Sequence, residues 1–250
     1  MKTIIIIIAA LFVVPAIAAG ADARFDEANA AYKAGGFEKA AAGYESLISD
    51  GDATANTYYN LGNAYLKTGD VGRAVLNYER AKLFIPRDAD LRSNLRRARS
   101  LMKQKDPRPD KNFVEIGLNQ LFKFFTLKEN IFLALILYFM LVCISLILLF
   151  VQKFRRYAKN AIIILTILMI SMAMPIRNKI YELNKGAIVI SALTDAKYEP
   201  REVSRTHFPL YEGIKVYVLK TEVGWRKIRR ADGKVGWINR DMVELIAKKQ

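Results

Sequence analysis

YYNLGNAYLKTGDVGRAVLNYERAKLFIP, residues 58 to 86, places small and bulky residues where two helices packed side by side need them. Gly62 and Ala74 leave room for close approach, while Tyr65 and Tyr78 supply bulk. Gly69 sits where one helix gives way to the next, and Pro86 stops the second. Shifting the chain by 34 residues aligns Asn29 with Asn63, Ala30 with Ala64, Lys33 with Lys67 and Gly35 with Gly69. It also aligns Ala40 with Ala74, Tyr44 with Tyr78 and Glu45 with Glu79. The quoted stretch therefore belongs to the second copy of a duplicated helix pair.

A helix pair repeating every 34 residues resembles the tetratricopeptide repeat. The second copy, from Ala55, adds Tyr58, Leu61 and Ala81 at landmark positions. The first, from about Ala21, is degenerate at its start, with Phe25 and Ala31 in place of larger landmarks. Two copies leave an apolar face open and need a cap. LRSNLRRARSLM, residues 91 to 102, supplies one, since Leu91, Leu95, Ala98 and Met102 share a helical stripe. Beside it runs a basic stripe of Arg92, Arg96, Arg99 and Lys103, readable as a solvated face or as a contact for anionic headgroups or an acidic partner. The expected unit spans residues 21 to 104. Its concave face is built from Asn29, Tyr32, Lys33, Tyr59, Asn60, Asn63 and Lys67, with Arg97 nearby. Amides interleaved with aromatics suit an extended or helical peptide, although each residue also fits an ordinary exposed helix position. Some repeats of this kind clamp a C-terminal carboxylate with Asn, Lys and Arg. Asn29 and Asn60 match, but Phe25, Asp90 and Asn94 replace the cations, which points away from such a clamp.

Three apolar segments set an expected topology. MKTIIIIIAALFVVPAIAAGADA has an early lysine, an apolar run, Pro15 and small residues, so residues 1 to 18 read as a signal peptide cut near Ala18. Residues 131 to 151 hold no charge and match a bilayer's thickness. Residues 161 to 176 form a shorter second span, with Pro175 at its end, where a break costs little. The intervening 152 to 160 contains Lys153, Arg155, Arg156 and Lys159 without an acid, the pattern of a cytoplasmic loop. The modules before and after the spans then face the extracytoplasmic side together. Neither span carries an Asp, Glu, His, Lys or Arg, which argues against transport. Residues 105 to 130 read as a charged, Pro-containing linker followed by an interfacial segment. The net charge of +15 is concentrated at residues 87 to 112 and 177 to 250, and no nucleic-acid motif accompanies it. Cys143, the lone cysteine, lies in an apolar run and allows no internal disulfide.

Residues 186 to 246 hold short runs rich in Val, Ile, Trp and Tyr, separated by turns such as Asp232–Gly233, enough for a five-stranded small barrel. FPLYEGIKVYVLKTEVGWRKIRRADGKVGWINRDMVELI resembles bacterial SH3 domains, through Leu210, Glu212 and Gly213, then Trp225 and Trp237. The preceding loop, AKYEPREVSRTHF, departs from the family's Arg-x-Gly-Pro-like segment and so from its standard cell-wall peptide specificity. Both tryptophans are expected in the core. His207 stands alone as a loop histidine, with no metal-ligand cluster, nucleophile motif or phosphate loop around it. No catalytic residue, cofactor or metal is expected.

The order of these parts resembles the BatE-like proteins of the Bat (aerotolerance) operon family, most clearly in NAAYKAGGFEKAAAGYE, YYNLGNAYLKTGDVGRAVLNYERA, LRSNLRRAR and GKVGWI. The resemblance implies a bacterial inner-membrane scaffold working with von Willebrand-type membrane proteins and a MoxR-type ATPase, in envelope or stress physiology. The expected architecture is a multi-part membrane protein: an α-solenoid, two transmembrane helices and a small SH3-like β-barrel. Its expected function is that of an adaptor binding envelope proteins, the rival being a cell-wall glycan or peptide sensor led by the SH3-like module.

Overall fold

The computed structural model describes residues 22–105, 125–150 and 155–247. The expected signal peptide and most of the expected linker lie outside these residues. Five helices come first: α1 (22–33), α2 (Phe37–Ser49), α3 (Ala55–Thr68), α4 (Val71–Phe84) and α5 (Ala89–Ser100). The starts of α3, α4 and α5 are fixed by side-chain oxygens that take up otherwise unpaired backbone N–H groups. Thr54 and Thr57 form a reciprocal cap on α3, Asp70 accepts from Arg73 N at 2.9 Å, and Asp88 accepts from Leu91 N at 2.7 Å. Gly69 ends α3 at φ +85°, a left-handed conformation that a residue with a Cβ adopts only at a cost.

Packing of α3 on α4 depends on Gly62, where an added Cβ would lie 2.7 Å from the Tyr78 ring. Helix α4 is the centre of the molecule. Val71, Gly72 and every residue from Ala74 to Ala81 are buried, including Asn77, Glu79 and Arg80. The apolar stripe of α5 covers the next face, with Leu91, Leu95, Ala98 and Met102 all buried.

Two long helices follow, α6 (Leu127–Phe150) and α7 (Arg155–Lys185), packed against each other and long and apolar enough to cross a membrane. A reciprocal cap starts α6: Glu129 N donates to Thr126 Oγ1 at 3.2 Å and Thr126 N to Glu129 Oε2 at 2.7 Å. Helix α7 extends the expected 161–176 span at both ends. It takes in residues 155 to 160 of the expected loop, passes Pro175 without a break and stops only at Lys185. Contacts with the sheet that follows hold its last turns: the Tyr181 ring lies 5.3 Å from that of Tyr217, and Glu182 forms an ion pair with Lys215. Helices α1 to α5 and that sheet together form the head of the molecule.

The chain then enters a sheet with no intervening loop. Its strands are β1 (Gly186–Val189), β2 (Leu193–Lys197), β3 (Thr206–Tyr211), β4 (Lys215–Glu222), β5 (Trp225–Arg230), β6 (Val235–Asn239) and β7 (Val243–Leu245). All pairings are antiparallel, in the order β3-β2-β6-β5-β4-β1-β7. There are thus seven strands rather than the expected five, and the sheet does not close. The additional strands come from GAIVISALTD, which divides into β1 and the start of β2, and from THFPLY, expected as loop up to Phe208 and as turn from Leu210. In THFPLY, buried Phe208 and Leu210 flank an exposed Pro209 on an edge strand. His207 therefore sits in β3 rather than in a loop; its ring stacks on Tyr198 at 4.4 Å and its Nδ1 lies 3.0 Å from Val235 O. Trp237 is buried and Trp225 half-buried.

Candidate functional site

The eight residues expected on the concave face come from the first helix of each pair and from α5, and they divide into two groups. Asn29, Tyr32, Tyr59, Asn60 and Asn63 are half-buried, whereas Lys33, Lys67 and Arg97 are exposed. The amides are already engaged with one another. Asn29 Oδ1 accepts from Tyr44 Oη at 2.7 Å and from Asn60 Nδ2 at 3.0 Å. One repeat later, Asn63 Oδ1 accepts from Tyr78 Oη at 2.7 Å and from Asn94 Nδ2 at 2.9 Å. Asn94 also donates to Tyr59 Oη at 2.9 Å. Each carbonyl oxygen uses both lone pairs to tie its own helix pair to the next helix.

Tyr44 and Tyr78 titrate above the ordinary phenol range, chiefly through burial. Their hydroxyls therefore remain donors at neutral pH, as the ladder requires. Tyr32 and Tyr59 are also raised, burial again leading. Asn94, which sequence reasoning treated only as a missing cation, belongs to this ladder. The signal was available, because Asn60 and Asn94 are 34 residues apart. On the exposed rim, Lys67 Nζ lies 5.9 Å from the Phe37 ring centroid, and Phe37 packs edge-on against Tyr32. The face therefore offers aromatic surface and three cations around a structural amide spine.

A second constellation, not anticipated from sequence, joins the helices to the sheet. Glu79, with 3% of its side chain exposed, accepts from Arg99 at 2.7 Å, Lys215 at 3.3 Å and Lys82 at 3.4 Å. Lys215 pairs in addition with Glu182 of α7. Burial favours the neutral form of Glu79, but Lys215, Lys82 and Arg99 outweigh it and hold the carboxyl below its ordinary range. Burial likewise opposes the charge on Lys215, yet Glu182 and Glu79 keep that ammonium above its ordinary range.

One residue on, the Arg80 guanidinium donates to Glu244 Oε1 at 2.7 Å, Leu245 O at 2.9 Å and Ile246 O at 3.1 Å. Glu212 Oε2 accepts from Gly72 N at 3.2 Å, placing a carboxylate at the positive end of α4. A Cβ at Gly72 would lie 3.1 Å from Val189 O and from the Ile190 Cα. Gly213, at φ +82°, leaves space filled by Met102. The turn residues Glu212 and Gly213, singled out through a family resemblance, are thus contacts to the helices. Buried apolar side chains from both parts form one continuous core.

No family model matches this chain, and no curated protein sequence matches it.

Proposed function

We propose that this protein is a membrane-anchored adaptor whose helical head binds an extended or helical segment of an envelope protein. The observation that carries the reading is the concave face, with half-buried Tyr32 and Tyr59 beside exposed Lys33, Lys67 and Arg97. Flat aromatic surface gives apolar contact, and the surrounding cations select acidic or carboxylate-bearing segments. The period and the packing of α1 to α5 support a tetratricopeptide-type solenoid. The strand order and the 3-10 turn at Arg240–Met242 support an SH3-like sheet. In this reading α6 and α7 anchor the head in the bacterial inner membrane, with both modules on the extracytoplasmic side. The resemblance to Bat operon proteins makes von Willebrand-type membrane proteins and a MoxR-type ATPase complex the partners to test first. No catalytic role is assigned.

The Asn29–Asn60 and Asn63–Asn94 bonds hold the helices together, so substituting those amides confounds binding with folding. The test uses the rim instead: crosslinked purification from membranes with the intact chain and with Lys33→Glu/Lys67→Glu/Arg97→Glu. Loss of a specific membrane partner, with an unchanged thermal transition, is the expected result. Undiminished capture by the folded variant would sink the proposal.

A second reading is a cell-wall glycan or peptide sensor. It is favoured by an open cavity of about 560 Å³ along the β2–β3 hairpin, lined by Tyr198, Glu199, Val203, Ser204, Arg205 and Thr206. Pelleting of the detergent-solubilised full chain with purified cell wall, abolished by Tyr198→Ser, would move the function to that hairpin.

A further inference from the structure

We propose that the neck of the molecule, where α6 and α7 meet the head, is a binding surface for anionic phospholipid headgroups. The inference rests on reading the two helices as spans and does not depend on what the concave face binds. Helices α6 and α7 pack together and reach the head at one level, because Glu129 in the first turn of α6 pairs with Arg87 and Glu182 in the last turn of α7 pairs with Lys215. Electrostatics agree with that level, because Lys179 feels Glu129, Glu182 and Lys82. Arg87, in the α4–α5 connection, pairs with Glu129 and brings the head down to the same height.

Charges at this height do not cancel. Glu129 is taken by Arg87, and Glu182 by Lys215. Lys128 and Arg177 are exposed, and neither has an acidic partner among the described residues. Phe84, three residues before Arg87, leaves 54% of its surface exposed while stacking on Tyr58 at 6.1 Å. Cations bordering the apolar stretches of two spans, with an exposed aromatic ring at the end of α4, have the composition of a headgroup-depth belt. Ammonium and guanidinium groups there make charge-assisted bonds to lipid phosphate. An added negative headgroup charge strengthens the attraction by about fivefold per cation, whereas a zwitterionic headgroup gives no such increment.

The test titrates the full chain in neutral detergent micelles with fluorescent phosphatidylglycerol and, separately, fluorescent phosphatidylcholine. Preference for phosphatidylglycerol, shrinking as salt is raised, is expected from the wild-type chain. Lys128→Gln/Arg177→Gln should weaken phosphatidylglycerol binding by about 25-fold, two cations at the increment above. Lys33→Gln/Lys67→Gln, an equal change of charge on the concave face, should leave it unaltered. Equal affinity for the two lipids, a preference insensitive to salt, or equal losses in both double variants would each overturn the proposal. Carbonate extraction of membranes reads the span assignment separately. A chain that resists extraction yet shows no lipid preference refutes the neck alone, and an extracted chain refutes the anchor.

Discussion

A carboxylate with 3% of its side chain exposed stays charged only among cations, and Glu79 has Lys215, Lys82 and Arg99. Glu79→Ala strands these charges at a buried junction, and the expected loss is about 3–5 kcal/mol, read from urea unfolding in detergent. The same group sets a pH dependence. Its folded pKa lies below the ordinary 4.5, so its stabilisation is complete above that pH and fades as the pH falls further. The raised Lys215 contributes in full below its ordinary 10.5 and loses its share only above it. A plateau in the urea midpoint between those limits is expected, with a shallower acid limb in Glu79→Gln; identical acid limbs would refute the assignment. Gly62 tests packing rather than charge. Gly62→Ala pushes a methyl to 2.7 Å from the Tyr78 ring and should cost about 1–3 kcal/mol, seen as a lower thermal midpoint.

The amide ladder belongs to the scale of elements, because each asparagine joins a helix pair to its neighbour. Asn63→Ala leaves the Tyr78 hydroxyl without its acceptor and Asn94 with Tyr59 alone, and should cost about 1–3 kcal/mol, with faster amide exchange in α5 than in α2 as its local signature. Much of this helical part was legible in the sequence. Ala74 and Tyr78 repeat Ala40 and Tyr44 at a fixed period because close helix packing admits few alternatives there. The role of Asn77, Glu79 and Arg80 was not legible, since a run of polar residues on a helix reads as solvent-facing until a second module covers it. In the sheet, Phe208 and Leu210 alternate correctly for a strand, but Pro209 and the surrounding charges give that segment the look of a loop. Among the expected site residues, exposure of the lysines and Arg97 followed from the helical period. The engagement of Asn29, Asn60 and Asn63 with neighbouring helices did not, because a hydrogen bond across elements leaves no periodic trace of its own. Edge strand β7 is protected in a way that sequence could not announce: Arg226 donates to Val243 O, and Arg80 to Leu245 O.

At the scale of the whole molecule, the close fit at Gly72 couples helices and sheet into one body. Gly72→Leu forces the start of α4 away from Val189 and Ile190. Hydrogen exchange should then rise together in β1, β7 and the first turn of α4; a rise confined to α4 would mean that the two parts are not coupled. The same cohesion bears on the proposed binding of a membrane partner. Because α7 passes into β1 without a flexible joint, and Glu182 and Tyr181 bind it to β4, the head has no swivel. In a bilayer the proposed recognition face would stand at a constant height and bearing. Two such proteins, or one and a membrane-embedded partner, would then search for each other by spinning about a single axis, a dimensional reduction that a tethered head on a loose leash would not have.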